Sequence, residues 1–237
     1  MTKEEFRSRL LERAARAQIA STDATIDSLH AYFSLLSRWN RTINLTAFPL
    51  DPLTDEAVDR LFIEPLAAAR YIQRALHTAW RPVWFDLGSG GGSPAIPLKI
   101  VEPHQRLSMI ESRSRKAAFL SEVVRGLELK DIDVVNSRFE ELTVRDGTVD
   151  LVTVRAVRSD ASLVATASRL LNDNGVLAIF GSALDSADGW ESLDTVQLLS
   201  WLESSQLSIH RRVPRGTTVE QRVTIELAKP PWGDLPN

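Results

Sequence analysis

Apolar residues recur at intervals of three and four along the first third of the chain. Phe6, Leu10 and Leu11 follow one another at helical spacing. Thr2 and Glu5 stand at the start of this run with the spacing of a capping box, in which each side chain caps the other residue's free backbone N–H. The pattern predicts a helix that begins next to Thr2.

Another apolar stripe predicts a second helix with one hydrophobic face. Its five members are Ile26, Leu29, Phe33, Leu36 and Trp39. Pro49 and Pro52 end the pattern, and a Leu- and Ala-rich stretch at 54–78 predicts a third helix that Pro65 either kinks or restarts. We therefore expect residues 1–80 to form a helical N-terminal extension.

The period of the pattern changes after residue 82. Five short β-type runs alternate with amphipathic helical stretches, and they lie at 83–86, 106–111, 131–136, 150–157 and 175–181. This alternation is typical of a mainly parallel sheet with helices on both faces. Two further β-type runs, at 206–213 and 222–229, predict a C-terminal antiparallel hairpin. The expected fold is α/β and Rossmann-like, with one domain over residues 81–237.

Composition limits the chemistry and the location of the protein. The 237 residues contain no cysteine, which excludes disulfides, Cys-based zinc sites and a catalytic thiolate. The four histidines are scattered without the spacing of a metal site, so we expect no metal. The charged N-terminus has no apolar signal core, and no apolar run approaches the ~18 residues of a membrane span. We expect a cytoplasmic monomer without a membrane partner.

The net charge of −3 is not that of a general nucleic-acid binder, but local basic clusters change this picture. Arg113, Arg115 and Lys116 open a predicted helix, where positive charge opposes the helix dipole. Arg155 and Arg158 form another cluster. Such a patch can bind a phosphate backbone, while solvated surface charge is the alternative for any one cluster.

Glycine dominates the segment that follows the first predicted strand. Gly88, Gly90 and Gly92 alternate after Asp86, directly between a strand and a helix. Bare backbone at that place lets a ligand approach, and the amides of the next helix face its polar groups. A dinucleotide site would need Gly or Ala where Ser93 stands, so a nicotinamide-dependent oxidoreductase is a remote alternative. The spacing D-x-G-x-G-x-G resembles motif I of Rossmann-like S-adenosyl-L-methionine (AdoMet) methyltransferases.

Glu111 supports a nucleoside ligand. It ends the second predicted strand about 20 residues after the glycine segment, where a carboxylate accepts hydrogen bonds from a ribose diol. A surface acid at a strand end is the alternative. An acid at this place also disfavours a ligand that carries a 2′-phosphate.

A more specific resemblance is carried by five blocks, which occur in the order LLSRWNRTINLTA, DLGSGGGSPAIPL, ESRSRKAAFLSEVVRGLEL, SRFEEL and VRAV. Over about residues 32–181 the chain resembles the bacterial small-subunit (16S) ribosomal RNA guanine-N7 methyltransferase family, once called glucose-inhibited division protein B. The resemblance implies a class I AdoMet-dependent fold with an N-terminal helical extension. It also implies methylation of N7 of one guanine, in free small-subunit ribosomal RNA or in a ribosomal particle.

The same blocks imply roles for individual residues. Arg155 matches an arginine that faces the methyl group and is the candidate catalytic residue, since a guanidinium suits both guanine O6 and a phosphate. A structural salt bridge from Arg155 to Asp150 or Glu140 is the alternative. The candidate cofactor-binding residues are Asp86, Gly88, Gly90, Gly92, Ser93, Glu111, Ser112, Phe139, Glu140 and Arg155. The candidate substrate-binding residues are Asn40, Asn44, Arg113, Arg115, Lys116 and Arg158.

Guanine N7 methylation makes modest demands on the protein. The N7 lone pair is free at neutral pH and can attack a sulfonium methyl directly, so alignment and exclusion of water replace a general base. The absence of cysteine rules out thiolate-dependent methylation of cytosine C5. No Asn/Asp-Pro-Pro-aromatic run follows the fourth predicted strand, which disfavours methylation of an exocyclic amino group.

The chain differs from the family pattern at six positions near the expected pocket. They are Leu61, Glu64, Pro65, Ser93, Ala95 and Phe180. These differences keep open an AdoMet-dependent enzyme with another RNA or a small molecule as acceptor. A non-catalytic RNA-binding ribosome assembly factor that retains the fold is the second alternative.

Overall fold

The computed structural model describes residues 1–76, 81–156, 161–181 and 188–213. The first two helices are α1 (Lys3–Arg16) and α2 (Asp23–Asn40), and both lie where the apolar stripes predict them. The capping box at the start of α1 is confirmed: the Glu5 N–H donates to Thr2 Oγ1 at 3.2 Å, and the Thr2 N–H donates to Glu5 Oε2 at 2.7 Å.

The third predicted helix is continuous but changes its hydrogen-bond register. It consists of α3 (Asp55–Val58), a π-helical turn (Asp59–Ile63) and α4 (Glu64–Leu76). The Glu64 N–H donates to the carbonyl of Asp59, five residues back. The α-helix thus restarts at Glu64, next to Pro65, which is one of the two predicted alternatives, and a π-helical turn comes directly before it.

Within the described ranges, seven strands form one central sheet. Its strands are β1 (Val83–Leu87), β2 (Arg106–Ile110), β3 (Ile132–Val135), β4 (Val149–Arg155), β5 (Leu171–Phe180), β6 (Trp190–Gln197) and β7 (Gln206–Arg212). The spatial order is β3-β2-β1-β4-β5-β7-β6, and the first five strands are parallel. The order reverses between β1 and β4, which is where open α/β sheets bind their ligands.

A C-terminal antiparallel hairpin is present, and its first strand is one that the pattern did not predict. β7 pairs antiparallel with both β5 and β6, so the hairpin consists of β6 and β7. The run at 222–229 lies outside the described residues. Three more helices connect the parallel strands: α5 (Ala95–Val101), α6 (Ser114–Gly126) and α7 (Ala161–Leu170).

The two faces of the sheet are buried in two separate hydrophobic clusters. One contains Phe85, Val152 and Leu163, and it lies on the side of α7. The other contains Trp84 and Leu107 of the sheet together with apolar residues of α1, α2, α4 and α6. The N-terminal helices thus share a core with the sheet, and the domain boundary near residue 80 stays a prediction.

Candidate active site

The first half of the glycine loop is shaped for a nucleoside cleft. Gly88 and Gly90 both adopt positive φ, at 75° and 53°, which L side chains adopt only with strain. The N–H groups of Gly88 and Ser89 donate to the carbonyl of Ile110 at 2.9 and 3.0 Å, so the loop leans towards the end of β2. Gly88 lines a cleft at this place.

The second half of the loop packs against helices instead. A Cβ on Gly91 would lie 2.9 Å from the carbonyl oxygen of Leu45, and the Gly91 carbonyl accepts a hydrogen bond from the Tyr32 hydroxyl at 2.6 Å. A Cβ on Gly92 would lie 2.9 Å from Ile96 Cγ1. Gly92 was predicted to bind the cofactor, but close packing against Ile96 is enough to explain why a glycine stands there.

Ser93 likewise faces the helical segment rather than the cleft. Its hydroxyl donates to the carbonyl of Leu61 at 2.9 Å. The α-helical partner of that carbonyl would be the N–H of residue 65, and Pro65 has none. The loop and the π-helical turn are joined by this bond, which the sequence pattern did not indicate.

Glu111 joins the glycine loop to the end of β2. One carboxylate oxygen accepts from the Gly90 N–H at 2.9 Å, and the other accepts from the Arg113 N–H at 2.8 Å. The side chain is buried. Since a carboxylate offers about four lone-pair positions, these two bonds leave capacity for two ligand hydroxyls.

A cleft of about 780 Å³ opens at the carboxyl ends of β1, β2 and β3. Its volume lies within the range of about 300–1,000 Å³ that small-molecule sites usually have. Its lining brings together five of the predicted residues: Gly88, Ser112, Arg113, Phe139 and Glu140. The other lining residues are Ile110, Asn136, Ser137, Arg138 and Glu141, which sequence reasoning missed.

Asn136 shows how such a residue could have been found. It follows β3 directly, and its side-chain amide donates to the carbonyls of Glu111 and Ser112 at 2.8 and 3.0 Å. A polar residue at the carboxyl end of a parallel strand next to β2 is the signal that the sequence offers. Asn136 orders the backbone that carries Glu111.

Asp86 is a residue of β1, two positions before the glycine loop, and its carboxylate contacts Thr153 of β4. Its carboxylate accepts a hydrogen bond from Thr153 Oγ1 at 2.5 Å, and Thr153 in turn accepts from the Trp84 indole N–H at 2.8 Å. Burial raises the pKa of Asp86 to about 6, although the hydrogen bonds from Thr153 and Ser89 act in the opposite direction. The structure thus gives Asp86 protein partners below the cleft.

Arg155 lies at the carboxyl end of β4, beside the start of the glycine loop. Its Nη2 lies 2.9 Å from Glu64 Oε2, and Nη1 donates to the carbonyl of Arg60. The guanidinium carbon lies 4.7 Å from the centre of the Phe180 ring. The expected alternative was a salt bridge from Arg155 to Asp150 or Glu140. Arg155 does form a salt bridge, but its partner is Glu64.

The electrostatics around Arg155 are those of a buried cation. Burial lowers the pKa of Arg155, the Glu64 carboxylate raises it, and the nearby Arg60 lowers it. Nε and Nη2 of Arg155 are both buried, and neither has a hydrogen-bond partner in the part of the chain that the structure describes, although Nη2 lies within ion-pair distance of Glu64. The Nε–H, which faces no carboxylate at ion-pair distance, is therefore free for a ligand.

The predicted substrate residues separate into three groups. Asn40 holds the local backbone, because its side-chain oxygen accepts from the N–H groups of Leu45 and Thr46 at 2.8 and 3.0 Å. Asn44, Arg113 and Arg115 are exposed, and Lys116 is half-buried at the start of α6. Arg158 lies outside the described residues.

Two structural tests bear on metals and membranes. Over 1–76, 81–156, 161–181 and 188–213, no group of three or more His, Asp or Glu side chains is arranged to hold a metal ion. Within the same ranges, no helix combines the length and the apolar character needed to cross a bilayer.

The fold is shared with solved structures of very different sequence. A protein from Escherichia coli described as a methyltransferase has 12% identity and a TM-score of 0.53, with 71% of this chain and 92% of that chain aligned. An S-adenosyl-L-methionine-dependent methyltransferase structure from Methanococcus maripaludis also has 12% identity, with a TM-score of 0.52 over 84% of this chain and 98% of that chain. The strand order and the position of the cleft define the class I AdoMet-dependent methyltransferase fold.

The family follows from closer relatives. The family described as rRNA small subunit methyltransferase G matches residues 25–212. The ribosomal RNA small subunit methyltransferase G of Polynucleobacter asymbioticus is 33% identical over 196 residues, which are 79% of this chain and 85% of the relative. That of Xanthomonas axonopodis pv. citri is 36% identical over 173 residues, or 72% and 74% of the two chains. The chain therefore belongs to the rRNA small subunit methyltransferase G family, as the sequence blocks predicted.

Proposed function

We propose that this protein transfers the methyl group of AdoMet to N7 of a guanine in small-subunit ribosomal RNA. The observation that carries the proposal is the cleft that Gly88 lines, next to a glycine loop that the buried Glu111 joins to the end of β2, in a member of this family. The cleft lies beside the reversal of strand order, where a class I fold holds its nucleoside.

The residues at the cleft fit AdoMet. Gly88 lets backbone approach the ligand, and the Glu111 carboxylate keeps lone pairs for the two ribose hydroxyls. Phe139 lines the cleft and offers an apolar face to the adenine, while Ser112 and Glu140 offer polar groups. When bound, AdoMet supplies an electrophilic methyl group on a sulfonium.

The chain's own contribution to the reaction is alignment and electrostatics. The N7 lone pair needs no base, so the protein must hold the guanine ring in line with the methyl group and keep water away. Arg155 stands at the end of β4 with a free Nε–H, and a guanidinium can donate to guanine O6 or to the adjoining phosphate. Arg155 is the candidate catalytic residue on these grounds.

The RNA side of the proposal rests on charge at the cleft's rim. Arg113 lines the cleft, and Arg115 and Lys116 lie in the first turn of α6 beside it. With a net charge of −3 over the chain, RNA binding must come from such a local patch. A cytoplasmic monomer remains part of the proposal, since ribosomal RNA is a cytoplasmic substrate and the cleft and its basic rim belong to a single chain.

The test supplies labelled AdoMet together with intact small subunits, naked small-subunit rRNA and a pool of metabolites. We expect label in RNA, recovered as 7-methylguanosine after nuclease digestion and identified by mass spectrometry. Label confined to metabolites would replace the proposal with a small-molecule acceptor. RNA binding without AdoMet binding, measured by calorimetry, would favour a non-catalytic assembly factor instead.

A further inference from the structure

Glu64 bridges two arginines beside the proposed reaction site. Its Oε1 lies 2.7 Å from Arg60 Nη1, and its Oε2 lies 2.9 Å from Arg155 Nη2. The Glu64 side chain is only 4% exposed, whereas those of Arg60 and Arg155 are 15% and 16% exposed. One buried carboxylate therefore compensates two guanidinium groups, each through a separate oxygen.

Arg60 ties this bridge to the loop between β6 and β7. It donates to the carbonyl of Ser204 at 2.9 Å and also contacts the Ser204 hydroxyl. The carbonyl of Arg60 accepts from Arg155 Nη1. Arg155 is thus held by both ends of the Arg60–Glu64 segment, through one backbone oxygen and one carboxylate oxygen.

The π-helical turn leaves the carbonyl of Arg60, one of the two groups that hold Arg155, available for this bond. In a π-helix the carbonyl of Arg60 would bond to the N–H of residue 65, which is a proline and has no N–H. That carbonyl is therefore free to accept from Arg155. The same turn directs Glu64 towards Arg155 from the first residue of α4.

We infer that Glu64 is a positioning residue for the methyl transfer: it holds the guanidinium of Arg155 in the orientation in which its free Nε–H serves the guanine. This inference rests on the proposed function, because it takes the role of Arg155 from there. A buried ion pair is by itself weak evidence for stability, since desolvation offsets much of the attraction. The Glu64–Arg155 ion pair lies next to the free, buried Nε–H of Arg155, which indicates that the pair orients the guanidinium.

The test compares Glu64→Gln and Glu64→Asp with a matched control. Asp59→Asn is that control, because Asp59 lies at the other end of the π-helical turn from Glu64, is also buried, and pairs with Arg13 and Trp201 instead of Arg155. For each variant, the AdoMet dissociation constant, the melting temperature, KM for RNA and kcat are measured well below the melting temperature.

We expect Glu64→Gln to lower kcat by about 10- to 100-fold, since misplacement by about 1 Å can cost that much. AdoMet affinity should stay within about threefold, and Glu64→Asp should recover part of kcat. Asp59→Asn should lower the melting temperature at least as much and leave kcat within about threefold. The double variant Glu64→Gln/Arg155→Ala should be no slower than Arg155→Ala, because Glu64 acts through Arg155.

A second readout does not depend on turnover. The Nε–H signal of Arg155 in an ¹⁵N NMR spectrum is assigned by its loss in Arg155→Lys. Its relaxation should show a mobile Arg155 side chain in Glu64→Gln and a rigid one in Asp59→Asn. Wild-type kcat in Glu64→Gln, or losses that add up in the double variant, would overturn this inference and leave the proposed function standing. No 7-methylguanosine from the wild-type protein would overturn both.

Discussion

Gly90 and Gly91 are neighbours, yet the structure needs glycine at each for a different reason. At Gly90 the space for a side chain is open, since an added Cβ would meet only the Gly88 carbonyl at 3.7 Å, but φ is +53°. At Gly91 the added Cβ would lie 2.9 Å from the backbone oxygen of Leu45. Glycine is required at position 90 because of the backbone conformation, and at position 91 because the N-terminal extension packs closely against it.

Substituting alanine at the two glycines should separate these reasons. Gly90→Ala should cost about 1–2 kcal/mol through its left-handed φ. It should also weaken AdoMet binding, because a backbone that relaxes from this φ moves the N–H that holds the Glu111 carboxylate. Gly91→Ala should cost as much or more, up to about 3 kcal/mol from overpacking, with a smaller change in AdoMet affinity. Denaturant titration and calorimetry measure both quantities. The opposite ranking in AdoMet affinity would contradict this division of the loop.

Asp86 should make stability fall with rising pH. Its pKa is about 6 in the folded protein and 3.8 as the model-compound value, so the folded state binds the proton more tightly. The stabilisation is complete below about pH 4 and is lost as the pH rises through about 6, with a total of about 3 kcal/mol. Asp86→Asn keeps an oxygen that can accept from Thr153 and cannot titrate.

The measurement is the free energy of unfolding from about pH 3 to pH 7 for the wild type and for Asp86→Asn. The difference between the two curves should change by about 3 kcal/mol over this range, in favour of the variant at pH 7. Parallel curves would show that Asp86 titrates normally in the folded protein.

Individual contacts were the least predictable part of the site. The glycine spacing indicated a ligand loop and Glu111 indicated its neighbour, because both follow predicted strands that pair in parallel. The partner of Arg155 could not be read from the sequence, since Glu64 is 91 positions away on a helix and only the packed structure brings them together. Asp150, an earlier expectation, instead accepts from the Val83 N–H at 2.7 Å.

At the scale of elements, the alternation of period predicted the parallel strands well and missed β6. Five β-type runs coincide with β1 to β5 within a few residues. Among the strands that the structure describes, β6 is at one edge of the sheet, and it is mostly exposed, with Trp190 its only buried residue. An edge strand with polar and charged side chains carries little of the alternation on which a sequence pattern depends.

The π-helical turn is the element whose role is easiest to test. Pro65→Ala restores an N–H that can bond to the carbonyl of Arg60 or Leu61, and so competes with Arg155 or Ser93. We expect a small change in the free energy of unfolding, within about 1 kcal/mol, because a gained backbone bond offsets lost packing. We expect a clear fall in kcat, measured with the same RNA.

Ser93→Ala provides the comparison for that variant. It removes only the bond to the Leu61 carbonyl and leaves the Arg60 carbonyl with Arg155. A fall in kcat in Pro65→Ala that Ser93→Ala does not reproduce assigns the effect to Arg155. Unchanged kcat in Pro65→Ala would mean that the π-helical register does not matter for turnover.

At the scale of the whole molecule, the N-terminal helices share a hydrophobic core with one face of the sheet, while the domain boundary near residue 80 stays a prediction. Tyr32 bonds to Gly91, Trp39 donates to Glu122 of α6 at 2.9 Å, and Leu45 lies against the glycine loop. The change in period near residue 82 predicted a boundary because the elements change type there. Periodicity along a sequence reports on local structure and says nothing about which elements share a core.

The charge distribution over the molecule determines how RNA binding should respond to salt. Arg115 and Lys116 lie at the first turn of α6 beside the cleft, whereas Arg125 is exposed in the last turn of the same helix, about 15 Å away. Each phosphate contact adds about 0.7–0.9 to the slope of log affinity against log salt. Arg115→Ala/Lys116→Ala should therefore lower that slope by about 1.5 and weaken RNA binding at low salt, with AdoMet affinity unchanged. Arg125→Ala should leave the slope as in the wild type. Both slopes are measured by fluorescence titration of RNA. An equal effect of the two changes would mean that the total charge of the protein, and not this rim, attracts the RNA.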